Sequence, residues 1–165
     1  MRRAVIAVIV LLSGCSSAPD PATITTIAFD GRNFSQLGSS ERLGSKFGVY
    51  STGATVADSD DQLWLSVVGG APAHAMDKIV EFTTTDREII AFDRSDVDGC
   101  IAVNETRANA HFTMYAVTKP CGYGRSCALL FGRRGQGTLA NDEAKSRCID
   151  KAPVLAALNR TLKSL

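Results

Sequence analysis

The sequence predicts a single α+β domain, in which an antiparallel sheet is followed by a C-terminal helix packed on one face and two disulfides hold the fold. Short segments rich in β-branched and aromatic residues recur along the 165-residue chain, separated by clusters of glycine, aspartate and serine. Such segments are typical of strands joined by turns. From Asn141 onward, apolar residues instead recur at helical spacing. Strands followed by a helix indicate that the two share one core.

Most strands are placed by their apolar runs and by the turns that bound them. They are predicted at residues 24–29, 47–51, 63–68, 100–103, 111–118 and 127–131. Residues 31–46 are rich in glycine and serine and are predicted to form a loop. Residues 73–92 fit either a helical face or strands. The density of β-branched residues from Lys78 to Thr85 favours two strands, at residues 78–85 and 88–92, with a turn at Thr85-Asp86-Arg87 between them.

The C-terminal segment carries helix-start signals as well as helical periodicity. Asn141 supplies a cap, and Asp142 and Glu143 place acidic residues in the first turn. Pro153 fits the first turn of a second helical segment. We expect the apolar side of this segment to lie in the core and its basic side to lie in solvent.

The N-terminus has the features of an export signal. Met1-Arg2-Arg3 is followed by nine apolar residues, Ala4 to Leu12, and then by Ser13-Gly14. A cationic start, a short apolar run and a small-residue cleavage site are the parts of a secretory signal peptide. A membrane span would need roughly 20 apolar residues, about twice this run.

The end of that signal, Leu12-Ser13-Gly14-Cys15, resembles the lipobox of bacterial lipoproteins. The resemblance implies that residues 1–14 are removed. It also implies that Cys15 is diacylated on sulfur and acylated, for example with palmitate, on its new amino terminus. Residues 15–22 would then be the lipidated cysteine and a tether, and residues 23–165 the globular domain. Ser16 after the cysteine favours the outer membrane, facing the periplasm, in a Gram-negative source. In another source the resemblance implies the exterior face of the cell membrane.

Length and charge narrow the class of protein. About 150 residues follow the signal, which suits one domain with its own core. The formal net charge of the whole chain is +1, and two of its basic residues leave with the signal. Proteins that hold nucleic acid normally carry a clear basic excess. We therefore expect no nucleic-acid partner, but membrane lipid through Cys15 and a protein partner in the envelope.

Four cysteines remain once Cys15 is committed to lipid, and an even number in an exported chain indicates two disulfides. Cys121 with Cys127 is favoured, because two glycines lie in the five-residue loop between two apolar runs. Cys100 would then pair with Cys148. The alternative pairs Cys100 with Cys121 and Cys127 with Cys148. The spacing does not match the paired cysteines of zinc sites.

The sequence offers little for catalysis. Its two histidines, His74 and His111, have no nucleophile motif beside them, and the serine-elbow, zinc-protease and Walker motifs do not occur. Its cysteines are expected to be oxidised. We therefore predict no catalytic residue, no cofactor and no enzyme activity.

Residues 94–105 resemble a calcium-binding loop in part. Asp96, Asp98 and Glu105 fall at ligand positions, but Arg94 stands where the first carboxylate is required. An acidic turn explains the same residues, so no metal is predicted and calcium is kept as an alternative.

The best candidates for an interaction surface are Tyr123, Arg125, Arg133 and Arg134, which stand among glycines in two nearby segments. Tyrosine and arginine are enriched at binding hot spots. The alternative interpretation is that these residues belong to solvated loops. An anionic envelope component or an acidic protein patch is the partner that the arginines would suit.

The predicted function is therefore a membrane-anchored, non-catalytic binding or assembly accessory of the envelope. The alternatives are an inhibitor or immunity-type lipoprotein and, less favoured, a divergent envelope hydrolase. A rigid protruding loop between Cys121 and Cys127 would favour the inhibitor. A concave pocket holding a histidine beside a carboxylate would favour the hydrolase.

Overall fold

A computed structural model describes residues 18–42, 44–56 and 59–165. The predicted signal peptide, residues 1–14, and the predicted lipidation site, Cys15, lie outside the described residues. Among the helices of the described part of the chain, none is long and apolar enough to cross a membrane.

Within these residues, eight strands form one antiparallel sheet with the order β1-β2-β3-β4-β8-β7-β6-β5. The strands are β1 (Thr26–Phe29), β2 (Arg32–Arg42), β3 (Ser45–Ser51), β4 (Asp61–Gly69), β5 (Glu88–Arg94), β6 (Asp98–Glu105), β7 (Ala110–Pro120) and β8 (Arg125–Gln136). Consecutive strands pair as neighbours except at the crossover from β4 to β5, and this crossover leaves β8 beside β4.

Helix α1 (Pro72–Thr84) lies on one face of the sheet, and α2 (Asn141–Ile149) and α3 (Ala152–Ser164) lie on the other. Alternate side chains of a strand point to opposite faces. Leu129 of β8 shares a core with Leu158 of α3, whereas its neighbour Leu130 packs with Met76 of α1. The sheet is thus the middle layer between two apolar cores.

The strand predicted at residues 78–85 is wrong, because α1 occupies this segment, whereas the strand predicted at residues 88–92 is confirmed as part of β5. Met76, Ile79 and Thr83 fall on one side of the helix and are buried against the sheet. Thr83 and Thr84 donate their hydroxyl hydrogens to the carbonyls four residues earlier, at 2.7 and 2.8 Å. Burial of a helical face therefore outweighs the local preference of β-branched residues for strands.

The loop predicted at residues 31–46 is also wrong, because most of it is β2. This strand pairs with β1 and β3, with a register shift between Gln36 and Gly38. Beyond Phe34 its residues are largely exposed. Backbone pairing needs no particular side chain, so small polar residues suffice on a strand with little to bury.

Residues 18–22, expected to be a tether, pack on the domain instead. Pro21 is buried, and its carbonyl accepts hydrogen bonds from Tyr50 Oη, at 3.2 Å, and from Gln36 Nε2. Asp20 pairs with Lys46 at 2.9 Å, and Ala18 packs against the larger core. The described part of the expected tether is therefore part of the folded unit.

The structure has the two disulfides that the sequence favours. Cys100 and Cys148 join β6 to α2, with their Cα atoms 5.3 Å apart. Cys121 and Cys127 close the connection between β7 and β8, with Cα atoms 5.6 Å apart. The first bond fixes the C-terminal helices to the sheet, and the second fixes one hairpin tip.

The longer disulfide loop should contribute more to stability. In the chain-entropy model, a loop of 48 residues contributes about 4 kcal/mol and one of 6 residues about 2 kcal/mol. Replacing Cys100 and Cys148 by serine should therefore lower the free energy of unfolding in urea more than replacing Cys121 and Cys127. The second pair is the matched control, and the reverse order would contradict the assigned roles.

Candidate functional site

An apolar groove lies between α1 and the neighbouring part of the sheet, and it encloses a cavity of about 270 Å³. We call it the α1 groove. Its apolar lining comes from three strands and the helix: Phe47 and Val49 on β3, Trp64 and Val68 on β4, Ala128 and Leu130 on β8, and Ala75, Ile79 and Phe82 on α1. Its two polar lining residues are Ser66 and Lys78.

The groove exists because α1 covers only part of its face of the sheet. Ile79 packs with Met114 of β7 and Leu130 of β8. The apolar face continues beyond the helix onto β4 and β3, where nothing in the described residues covers it. Phe47 and Phe82, on the two sides of the groove, are 43% and 62% exposed. Large apolar side chains that are exposed around a concavity are typical of a binding surface.

The indole of Trp64 contributes to the floor of the groove, and Gly132 makes room for it. A Cβ atom on Gly132 would lie 2.5 Å from Trp64 Cζ3. Any larger residue at position 132 would therefore displace the ring. Trp64 is the only tryptophan of the chain, so its fluorescence reports on the groove alone.

The cation in the groove is already loosely paired. Lys78 Nζ lies 2.9 Å from Glu81 Oε2, and both side chains are well exposed. The hydrogen bond that Lys78 donates to Glu81, together with the charge of Glu81, raises the pKa of Lys78 above its ordinary value, so the lysine is a cation at neutral pH. Exposed pairs of this kind are weak, and an anionic ligand can compete with Glu81 for the ammonium group.

The histidines lie elsewhere. His74 is exposed in the first turn of α1, beside Gly70. His111 is buried on β7, with Nδ1 3.1 Å from the carbonyl oxygen of Gly137. Neither lines the α1 groove. Among the described residues there is also no group of three or more histidine, cysteine or acidic side chains that could hold a metal ion.

The calcium alternative is wrong on geometry. Asp98 begins β6 and Glu105 ends it, which separates them by roughly 23 Å along an extended strand. They cannot bind one ion. Ser95 Oγ donates to Asp98 Oδ1 at 2.9 Å, so the residues before β6 form the acidic turn that was the other interpretation.

The four predicted interaction residues do not form one site. Tyr123 and Arg125 lie at the start of β8, whereas Arg133 and Arg134 lie near its other end, roughly 25 Å away. The guanidinium group of Arg134 stacks over Phe112, 5.6 Å from the ring centroid. The two pairs must therefore be considered separately.

The disulfide-closed loop at Tyr123 is rigid and protrudes. Gly122, Tyr123 and Gly124 have φ angles of 94°, 50° and 68°. Such an angle costs a non-glycine residue about 1–3 kcal/mol, so surrounding structure must hold Tyr123 in place. The disulfide does this, together with a hydrogen bond of 2.7 Å from Gly70 N to the Gly124 carbonyl. The Tyr123 side chain is 82% exposed.

Arg133 belongs to a charged cluster around Asp61, with which it forms an ion pair. Its Nε and Nη2 atoms lie 2.8 and 3.2 Å from the two oxygens of Asp61, and Arg32 Nη1 lies 2.6 Å from one of them. Burial by itself would raise the pKa of Asp61. The hydrogen bonds from the two arginines outweigh burial and hold that pKa below 3.8. We interpret the cluster as a structural clamp between β1–β2, β4 and β8.

Sequence reasoning missed the residues of the α1 groove, because it interpreted α1 as strands. Pro72 at the start of the helix and the helical spacing of Met76, Ile79 and Thr83 were the signals that could have indicated α1. Nothing in the sequence alone places Trp64 opposite Phe82.

Comparison with protein-family models, with characterised proteins and with solved structures finds no match to this chain. The function must therefore be argued from the residues themselves.

Asp61→Asn should lower the free energy of unfolding by about 1–3 kcal/mol at neutral pH, because both arginines lose their charged partner. The pKa of Asp61 is lower in the folded than in the unfolded state. The difference from the parent protein should therefore be complete above about pH 5 and disappear as the pH falls through the folded-state pKa. Urea unfolding at several pH values checks this.

Asp60→Asn is the matched control, since Asp60 is the exposed neighbour of Asp61. Its effect should stay within about 0.5 kcal/mol at every pH. Equal effects of the two substitutions would contradict the clamp.

Proposed function

We propose that this protein is a lipid-anchored, non-catalytic binding protein of the bacterial envelope. Its α1 groove receives the acyl chain of a single-chain anionic amphiphile. The observation that carries the proposal is the groove itself, an apolar concavity with one exposed lysine among its lining residues. Ligand sites are commonly apolar pockets with a few placed polar groups.

The shape of the groove suits a slender apolar chain. It follows α1 from Ala75 to Phe82, about two turns or 10 Å of helix. Its volume of about 270 Å³ lies just below the usual range of ligand pockets, about 300 to 1,000 Å³. Each methylene group buried there contributes about 0.8 kcal/mol. An acyl chain that lies along the helix buries its methylene groups, and so gains this binding free energy, without needing a wide cavity.

The polar groups suit an anionic head. Lys78 lines the groove with its ammonium group largely in solvent, where it can meet a carboxylate or phosphate at the end of the chain. Ser66 offers a hydroxyl group in the same lining. Fatty acids and lysophospholipids share this chemistry. An envelope protein that binds such a molecule acts as an accessory to the protein or membrane that supplies the molecule or receives it.

Dodecanoate should change the fluorescence of Trp64 in a saturable manner, because its chain displaces water from beside the indole. Phe82→Glu should weaken this binding by roughly tenfold or more, since it removes apolar contact and places a carboxylate beside the anionic head. Hexanoate should bind more weakly than dodecanoate because it buries fewer methylene groups. Fluorescence titration of the unlipidated domain measures all three.

Ile149→Glu is the matched control, because Ile149 is 76% exposed and lies on α2 on the opposite face of the sheet. It should leave dodecanoate affinity unchanged. Lys78→Ala should weaken dodecanoate but not dodecanol, which lacks the anion. No saturable response to either amphiphile would refute the proposed function.

A second candidate function is supported by the loop at Tyr123. A rigid, disulfide-closed loop with an 82% exposed tyrosine is preorganised, which reduces the entropy cost of binding another protein. This is the arrangement expected of an inhibitor that blocks a partner's site.

The anchor itself can be tested by Cys15→Ser. The substituted protein should appear in the soluble fraction after carbonate washing of membranes, because it lacks the acyl chains that hold the parent protein. The parent protein should stay in the membrane fraction. Retention of the substituted protein would contradict lipidation at Cys15.

A further inference from the structure

We infer that one end of the sheet, with Tyr123 at its tip, lies against the membrane to which Cys15 is attached. This inference rests on the lipid anchor of the proposed function. The binding partner is a lipid bilayer surface, and its contact is the loop between Cys121 and Cys127.

The direction of the N-terminal chain is fixed by its contacts. Gln36 N donates to the carbonyl of Thr25 at 2.8 Å, and Tyr50 Oη donates to that of Pro21. Asp20 then reaches Lys46. A turn closed by Thr23 N, which donates to the Asp20 carbonyl at 3.0 Å, follows Asp20, and these contacts together place Asp20 beside Lys46, at the end of β3 next to the turn between β2 and β3.

The strand register places the Tyr123 loop at this same end. Lys46 on β3 pairs with Val67 on β4, and two residues later Gly69 pairs with Arg125 on β8. We call this the anchor end of the sheet. Arg125 is also close enough to Lys46 for its positive charge to lower the pKa of Lys46. The hydrogen bond from Lys46 to Asp20 outweighs this effect and raises that pKa.

The chain leaves little distance between the anchor end and the bilayer. Only Ser16 and Ser17 separate Cys15 from Ala18, which packs on the domain, so the step from Ala18 to Cys15 covers three residues. Fully extended, three residues span about 11 Å. Tyr123 lies beyond the last residue pair of the β7–β8 hairpin, Pro120 with Ser126, and is 82% exposed, so the short tether brings this loop to the bilayer.

The residues at the anchor end suit the interface between lipid and water. Tyr123 has an apolar ring and a polar hydroxyl, and such side chains concentrate at membrane interfaces. Arg125 and Arg42 are exposed at the same end. The acidic turn at Asp96 and Asp98 lies at this end too, but at the β5–β6 hairpin, two strands away from β8. The contact is therefore directed by the tether and by Tyr123 rather than by net charge.

The test uses the lipidated full-length protein in vesicles of phosphatidylcholine and phosphatidylglycerol with brominated acyl chains, which quench tryptophan on contact. Trp64→Phe removes the native fluorophore. Tyr123→Trp then reports the anchor end, and Arg107→Trp, exposed in the connection between β6 and β7, reports the opposite end. Quenching should be several-fold stronger at position 123 than at 107. Equal quenching, or stronger quenching at 107, would overturn the inference.

Two further measurements separate the possible failures. Arg125→Trp is a second reporter of the anchor end and should also be quenched more than the one at 107, should Tyr123→Trp not fold. Flotation of the vesicles shows whether the protein is attached. A protein that does not float refutes the lipid anchor. A protein that floats with unquenched tryptophan at both anchor-end positions refutes the orientation alone.

Discussion

The fold depends on the pairing of β8 with two partners at once. β8 lies between β4 and β7, so it joins the strands that precede α1 to those that follow it. Its alternate residues also supply both cores, with Leu129 on the side of α3 and Leu130 on the side of α1. A shift of one residue in the register of β8 would exchange these faces. Both cores, and the α1 groove on one of the two faces, therefore depend on the register of β8.

The parts of the fold that were predictable are those in which local pattern and final burial agree. The strands around Leu65, Val103 and Val117 have apolar runs bounded by turn residues, and each is buried in the sheet. Cys121 and Cys127 could be paired because the glycines between them indicate a tight connection. The C-terminal helices could be placed because their periodicity, the acidic first turn of α2 and Pro153 all indicate the same segments. The cap predicted at Asn141 is wrong, because Asn141 is the first residue of α2 and its N-cap, Ala140, makes no side-chain hydrogen bond.

The parts that were not predictable are decided by contacts distant in sequence. The threonines near the end of α1 favour a strand locally, but the segment is a helix that buries Met76 and Ile79 against the sheet and Thr83 beside Met114. The strand β2 has few apolar residues and exists because β1 and β3 pair with it. The α1 groove depends on such contacts, because α1 must be a helix and must leave the sheet surface around Trp64 uncovered. Local pattern offers a signal for the helix, but it does not show where on the sheet the helix packs.

The packing of residues 18–22 on the domain limits where this protein can act. With Pro21 buried and Asp20 paired, only Ser16 and Ser17 separate the folded unit from its proposed acyl chains. With the proposed acyl chains on Cys15, the protein would move in two dimensions across its bilayer at a constant, low height and would not reach a structure far above that surface. A donor or acceptor of the proposed ligand would then have to come to the same membrane surface, or already belong to it.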